Sequence, residues 1–290
     1  MSEVERTLSS SRRQGASVGR SGAQITASGL SAVAQNEVSW LLNSSGRRTT
    51  TPIRKSFARS DDREMAPPLA QIVSTRGRGG AVALKLYLGL LRRSSAAPYD
   101  TNLSARRWAA LLDLAEPNTL GARRITDAMK RLEALRLVSV APARGEASVV
   151  TLLREDGSAK SYSLPSAPGK DRRYLQVPDR LWEGYIQTMS APGLAMLLVL
   201  LAEPASSRDG MWWSVEKFPD WYGISASMRA KGTNELLDLG LLRVTKRKLD
   251  TPKGGNGDER DRVRNVYRLR NPAAFPPRPV AVRRRKPKRV

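Results

Sequence analysis

Between positions 243 and 270 the chain carries ten Lys and Arg against four Asp and Glu; between 271 and 290 it carries seven against none. Side chains of this type at this density do one kind of chemistry, which is to hold a polyanion and displace its counterions. Arg243, Lys246, Arg247, Lys248, Arg262, Arg264 and Arg268 lie in two extended runs around a loop that contains Gly254, Gly255 and Gly257. That layout puts them on a β-hairpin, as cations expected to reach phosphates. Arg283, Arg284, Arg285, Lys286, Lys288 and Arg289 follow in a Pro-rich segment, expected to be extended and also to bind the nucleic-acid backbone. A second group falls at the starts of two candidate helices: Thr119, Arg123, Arg124, Thr126 and Lys130, then Ser225, Ser227, Arg229 and Lys231. Arg pairs with guanine O6 and N7, and Ser or Thr bonds base edges or phosphate. These nine are the expected base readers, and double-stranded DNA is the expected partner.

Other chemistries are excluded or lack support. The chain has no His and no Cys, which removes disulfides, thiolate or Cys/His metal sites and Ser-His-Asp triads. Gly169-Lys170 is followed by Asp171 and lacks the upstream glycine of a phosphate loop. The acids Asp258, Glu259 and Asp261 alternate with Arg, and Asp61, Asp62 and Glu64 fall in a segment expected to be disordered, whereas metal-dependent hydrolysis wants carboxylates on rigid elements. Tyr267, between Arg264 and Arg268, is a lone nucleophile candidate with no accompanying signature. No cofactor, no metal and no enzymatic activity are expected. Trp182, Trp212, Trp213 and Trp221 suit either base stacking or core packing, with core packing favoured. The formal net charge of +23 over 290 residues fits a nucleic-acid partner. Leu194 to Ala202 is too short an apolar run to cross a bilayer, and the first residues lack a signal-peptide core; a cytoplasmic protein is expected.

The elements that must position these residues can be read from periodicity. Residues 1–65 are rich in Ser, Gly, Arg and Thr and are expected to be largely disordered. Within them, positions 31–43 contain Val33, Val38, Trp40, Leu41 and Leu42, and suggest a short helix that docks on a partner or on the protein's own body. Val38, Trp40 and Leu41 are the candidate partner-binding residues. From 68 to 154, Ala81–Leu91 reads as a buried helix. Ser104 caps a helix with Trp108, Leu111 and Leu112 on one face, and Ile125, Met129, Leu132 and Leu135 recur with helical spacing. Two runs, Val138–Val140 and Ser148–Leu153, form a hairpin. Residues 155–173 read as a linker. From 174 to 271 the order returns: a short strand, a short helix at Pro178–Ile186, an apolar helix capped by Ser190, a helix capped by Ser214 and shortened by Pro219, a helix capped by Ser225 and stopped at Gly240, and a second hairpin. Residues 272–290 form a basic tail.

The two halves align around one segment. ITDAMKRLEALRLV at 125–138 matches RAKGTNELLDLGLL at 229–242, so Leu132, Leu135 and Leu137 meet Leu236, Leu239 and Leu241. This resembles the recognition helix and first wing strand of winged-helix DNA-binding proteins. The pattern departs twice: Arg136 stands where Gly is usual, and Arg229 where a buried apolar residue is usual. The resemblance implies an α+β chain of two tandem winged-helix domains, with recognition helices in the major groove and wings on phosphates. Two such units in a chain of this size are also similar to replication initiators of plasmids and mobile elements. That similarity implies binding to repeated origin sequences and a homodimer formed through the first unit. A transcriptional repressor, and a DNA-bound segregation adaptor that recruits a partner through residues 31–43, are the alternative roles.

Overall fold

The computed structural model of the chain describes residues 29–62, 65–74, 79–165, 174–203, 210–248 and 263–271. It is a mixed α+β structure in which one order of elements occurs twice. In the first occurrence the apolar run forms α3 (Gly79–Arg93), buried along nearly its whole length. A short strand β2 (Asp100–Thr101) leads to α4 (Ala105–Leu111), whose first turn is capped by the Ser104 hydroxyl accepting from the Arg107 amide. Trp108, Leu111 and Leu112 are fully buried. Next come α5 (Leu120–Ala134) and the hairpin β3 (Val138–Ala141) and β4 (Val149–Leu152), with β2 on the far side of β4.

The second occurrence starts with α7 (Ala191–Ala202), capped by Ser190. Met211 then makes a single antiparallel bridge to Tyr267. A short helix α8 (Lys217–Tyr222) follows a turn in which the Lys217 amide donates to the Ser214 hydroxyl, and α9 (Ala226–Asp238) follows the Ser225 cap. The hairpin β6 (Leu242–Lys248) and β7 (Val263–Leu269) closes the unit. In both units the edge segment before the second helix pairs with the last strand of the hairpin.

The helix preceding each hairpin ends in the same way. In the first, the Leu137 amide donates to the Leu132 carbonyl and the Arg136 amide to that of Glu133; in the second, Leu241 donates to Leu236 and Gly240 to Leu237. These bonds form the Schellman pattern, which satisfies carbonyls that the last helical turn leaves open. It requires a left-handed residue, and Arg136 and Gly240 both have positive φ. The apolar ladders face inward: Ile125, Leu132 and Leu137 in one copy, Leu236 and Leu241 in the other, are at most 1 % exposed.

Residues expected to be a disordered arm are instead part of the body from Leu30 onward. Helix α1 (Ala32–Ser44) is capped by Ser31 and buries Ala34, Val38 and Leu41; the Ser31 hydroxyl donates to Asp113 at 2.7 Å. Strand β1 (Thr50–Arg54) pairs antiparallel with β5 (Tyr174–Pro178), from Thr50 opposite Pro178 to Arg54 opposite Tyr174. Thr50–Arg54 has little local strand signal. Its partner lies more than a hundred positions away, and the burial of Ile53 and Phe57 offsets the ordering cost.

The 155–173 segment is likewise not wholly a linker. Glu155 and Tyr162 are buried, and Glu155 pairs with Arg54 at 2.5 Å. The expected short helix at Pro178–Ile186 divides into a 3-10 turn (Asp179–Trp182) and α6 (Tyr185–Thr188). One apolar core runs through both units. Helix α2 (Pro68–Val73) and α3 touch α7. Lys85 Nζ donates to the Gln187 carbonyl at 2.7 Å, and Arg92 meets Asp179 at 2.9 Å. The Ser60 amide donates to the Trp221 carbonyl at 2.9 Å. Residues 1–28 of the expected arm (1–65), 166–173 of the expected linker (155–173) and the expected tail 272–290 lie outside the described residues.

Candidate nucleic-acid interface

Helix α9 is held from behind. Arg229, Gly232, Thr233 and Leu236, spaced at i, i+3, i+4 and i+7, form its inward face. Gly232 lies against α7 so closely that an added Cβ would overlap the Pro192 carbonyl oxygen. Glu235 reaches across to the start of α7 and accepts from the Ser190 amide at 2.8 Å and from the Ser190 hydroxyl. The opposite stripe is exposed: Ser227, Lys231 and Asn234 at i, i+4 and i+7. Ser225 is exposed too, with its hydroxyl oxygen accepting from the Met228 amide as the cap. An N-terminal turn with open donors and a front of Ser, Lys and Asn suits base edges and phosphate oxygens. Asn234 was not among the residues singled out by sequence. Its spacing from Ser227 and Lys231 carried the signal, and Asn bonds adenine N6 and N7.

Helix α5 offers a comparable front. Gly121, Ile125, Ala128 and Leu132 face the core, whereas Arg123, Arg124, Thr126 and Lys130 are exposed. The Thr126 hydroxyl bonds back to the Ala122 carbonyl at 3.2 Å, and that of Thr119 donates to Glu116 at 3.1 Å. Asp127 shares the stripe of Arg123 and Lys130, so this front is less cationic than the list of bases alone implied. Arg131 points rearward and donates to the Gln71 carbonyl at 2.7 Å, tying α5 to α2.

The hairpin β6–β7 gathers the strongest charge. Its register sets Arg243 opposite Arg268 and Arg247 opposite Arg264. Directly opposite residues share a face, so four guanidinium side chains project from one side of a two-stranded ribbon, with Thr245 and Val266 between them. Like charges placed directly opposite disfavour pairing, so this ribbon suits neighbouring anions. Lys246 and Lys248 alternate to the other face, which is also exposed at their level. Nearer the body, that second face carries Leu242, Val244 and Tyr267 toward the core. Arg264 lies 4.5 Å above the Trp212 ring. The first hairpin's turn, by contrast, holds Arg144 and Glu146 and no surplus of charge.

Two expectations are corrected here. Arg229 does not stand on the exposed front of α9, where a base reader is expected. It is half-buried, with its guanidinium 4.2 Å from the Phe218 ring centroid, 5.4 Å from Tyr267 and 5.6 Å from Trp213, and Nη2 donates to the Tyr267 hydroxyl at 3.1 Å. Its apolar stem fills the slot where the pattern has an apolar residue, and the ring faces receive the charge. Nor do Val38, Trp40 and Leu41 form an open docking patch. Val38 and Leu41 are 5 % and 0 % exposed in the protein's own core, and the Trp40 ring is flanked by Arg107 at 3.7 Å and Arg93 at 5.3 Å. The island docks on its own body because its apolar face meets α4 and α3.

Of the four tryptophans, Trp182 and Trp213 are buried and Trp221 is half-buried beneath Arg59; Trp212 is 51 % exposed. Arg262, Arg283, Arg284, Arg285, Lys286, Lys288 and Arg289 lie outside the described residues. Among the described residues no cluster of Asp and Glu suited to a metal ion occurs, and no helix is long and apolar enough to cross a membrane. Comparison of the chain with protein-family models, with curated proteins and with solved structures returned no match.

Proposed function

We propose that this chain is a sequence-specific double-stranded DNA-binding protein built from two winged-helix units, with α5 and α9 as the recognition helices. The observation that carries the reading is the arginine pairing of β6 and β7. Arg243–Arg268 and Arg247–Arg264 stand as like-charge cross-strand pairs on a ribbon adjoining the exposed start of α9. A helix start enters the major groove, while an adjoining cationic ribbon lies along phosphates. What supports this reading is that each unit repeats one order (a helix, an edge segment, two further helices and a hairpin), with Leu132 and Leu236 anchoring the last helix while its front is exposed and polar.

The role proposed for the protein is replication initiation on a plasmid or mobile element, by its resemblance to initiators with two such units; repression of transcription is the alternative. The test is fluorescence anisotropy of the purified full chain on duplex DNA at increasing salt. Micromolar or tighter binding with a steep negative slope of log affinity against log salt is expected. Indifference to duplex DNA at low salt would overturn the reading. DNA recovered with the protein from its host separates the roles, because an initiator enriches repeated sites whose replicon is lost when the gene is removed.

A further inference from the structure

The arginine face of the second hairpin carries an aromatic side chain that duplex binding does not use. Met211 bridges Tyr267, so the next residue, Trp212, stands beside Val266 at the edge of the face that holds Arg243, Arg247, Arg264 and Arg268. An exposed indole is costly to leave in water, and this one is 51 % exposed. Arg264 lies 4.5 Å above one side of the ring, and Val215, three residues on, is itself 78 % exposed. Val266 is buried in the floor of the same face.

We infer that this face also takes a second ligand, single-stranded DNA, by stacking an unpaired base on the open side of Trp212 while the arginines hold the flanking phosphates. The inference rests on the DNA-binding reading above and adds a ligand to it. A paired base keeps its faces against its neighbours in the stack, so a duplex has no base face to offer an indole; a single strand does. The cations supply the complementary charge. The arginine pairs are four residues apart along each strand, about 13 Å at the rise of a β-strand, which leaves length for a strand to run across the ribbon past the indole. The arrangement of one ring with several guanidinium groups is the pairing of stacking and backbone attraction that sequence-tolerant single-strand sites use.

The test uses the full chain and two labelled probes: a thymine-only single strand of about 20 nucleotides and a duplex of random sequence. Wild-type protein should bind the single strand with quenching of indole emission. Trp212→Ala should lose about tenfold or more in affinity for it, with less than twofold change on the duplex. Trp212→Phe should keep most of the single-strand affinity but lose the quenching. Equal losses on both probes, or full single-strand affinity in Trp212→Ala, overturn the inference. Wild-type protein that binds the duplex and ignores the single strand sinks this site alone, whereas failure on both probes sinks the DNA-binding reading itself.

Discussion

Arg136 and Gly240, 104 positions apart, hold the same left-handed turn at the ends of their helices, with φ of 57° and 68°. A side chain in that region costs about 1–2 kcal/mol that glycine does not incur. Arg136→Gly should therefore raise stability by about 1 kcal/mol in urea unfolding, since the Arg136 side chain is exposed. Gly240→Ala should lower it by a similar amount. A destabilised Arg136→Gly would show that the arginine side chain contributes more than its backbone strain costs.

The closeness of α9 to α7 gives a second expectation. A methyl group at position 232 has no room beside Pro192 and Met196, so Gly232→Ala must push the helix outward. Overpacking of this kind costs about 1–3 kcal/mol. Duplex affinity should fall with it, because the exposed front of α9 moves as a body. Unchanged melting and unchanged anisotropy in this variant would mean the two helices are less tightly apposed.

Front-face substitutions separate reading from gripping. Ser227→Ala, Asn234→Ala or Arg124→Ala should each narrow the gap between cognate and random duplex by about 1–3 kcal/mol. Arg243→Ala with Arg268→Ala should instead weaken all duplexes alike and reduce the salt slope by about two. Arg229→Met should retain sequence preference, since this residue lies among Phe218, Trp213 and Tyr267 and not at the front. Competition binding against random duplex distinguishes the three patterns.

Stability should also depend on pH through Glu155. Burial pushes its carboxyl above the usual carboxylate range, although the Arg54 guanidinium opposes the shift. A carboxyl with a raised folded-state value binds its proton more tightly folded than unfolded. Its contribution is therefore greatest below the ordinary carboxylate value and declines as pH rises through the raised one. Glu155→Gln cannot titrate, so the stability difference between wild type and variant should shift against wild type as pH rises above the ordinary carboxylate range. A difference that is flat, or that shifts the other way, would show that the Arg54 pairing outweighs desolvation.

The elements with local signals were legible in the sequence. Ser104, Ser190 and Ser225 cap where spacing placed them, Ser214 instead holds the turn before a helix that starts at Lys217, Gly240 ends its helix, and both hairpins form. What stayed hidden depends on distant partners. Thr50–Arg54 is a strand because Tyr174–Pro178 completes it. Val38 and Leu41 offered too short an apolar run to reveal that α4 and α3 would receive them. In the candidate interface, residue type places Arg229 among the readers although its position in the pattern is one usually buried, and the rings of Phe218, Trp213 and Tyr267 show where its guanidinium goes. Asn234 has no signal of its own; only the stripe it shares with Ser227 and Lys231 marks it.

The β1–β5 pairing also governs how the molecule can be taken apart. A fragment starting at Tyr174 would leave β5 as an uncovered edge, with Leu175 and Val177 stripped of their neighbours in β1, the kind of edge that recruits stray strands. The second unit is thus not a module that evolution or an engineer can lift out by itself. Nor can the halves drift apart on a slack tether; on the proposed reading, a duplex whose sites do not match their span would have to bend or twist to meet both.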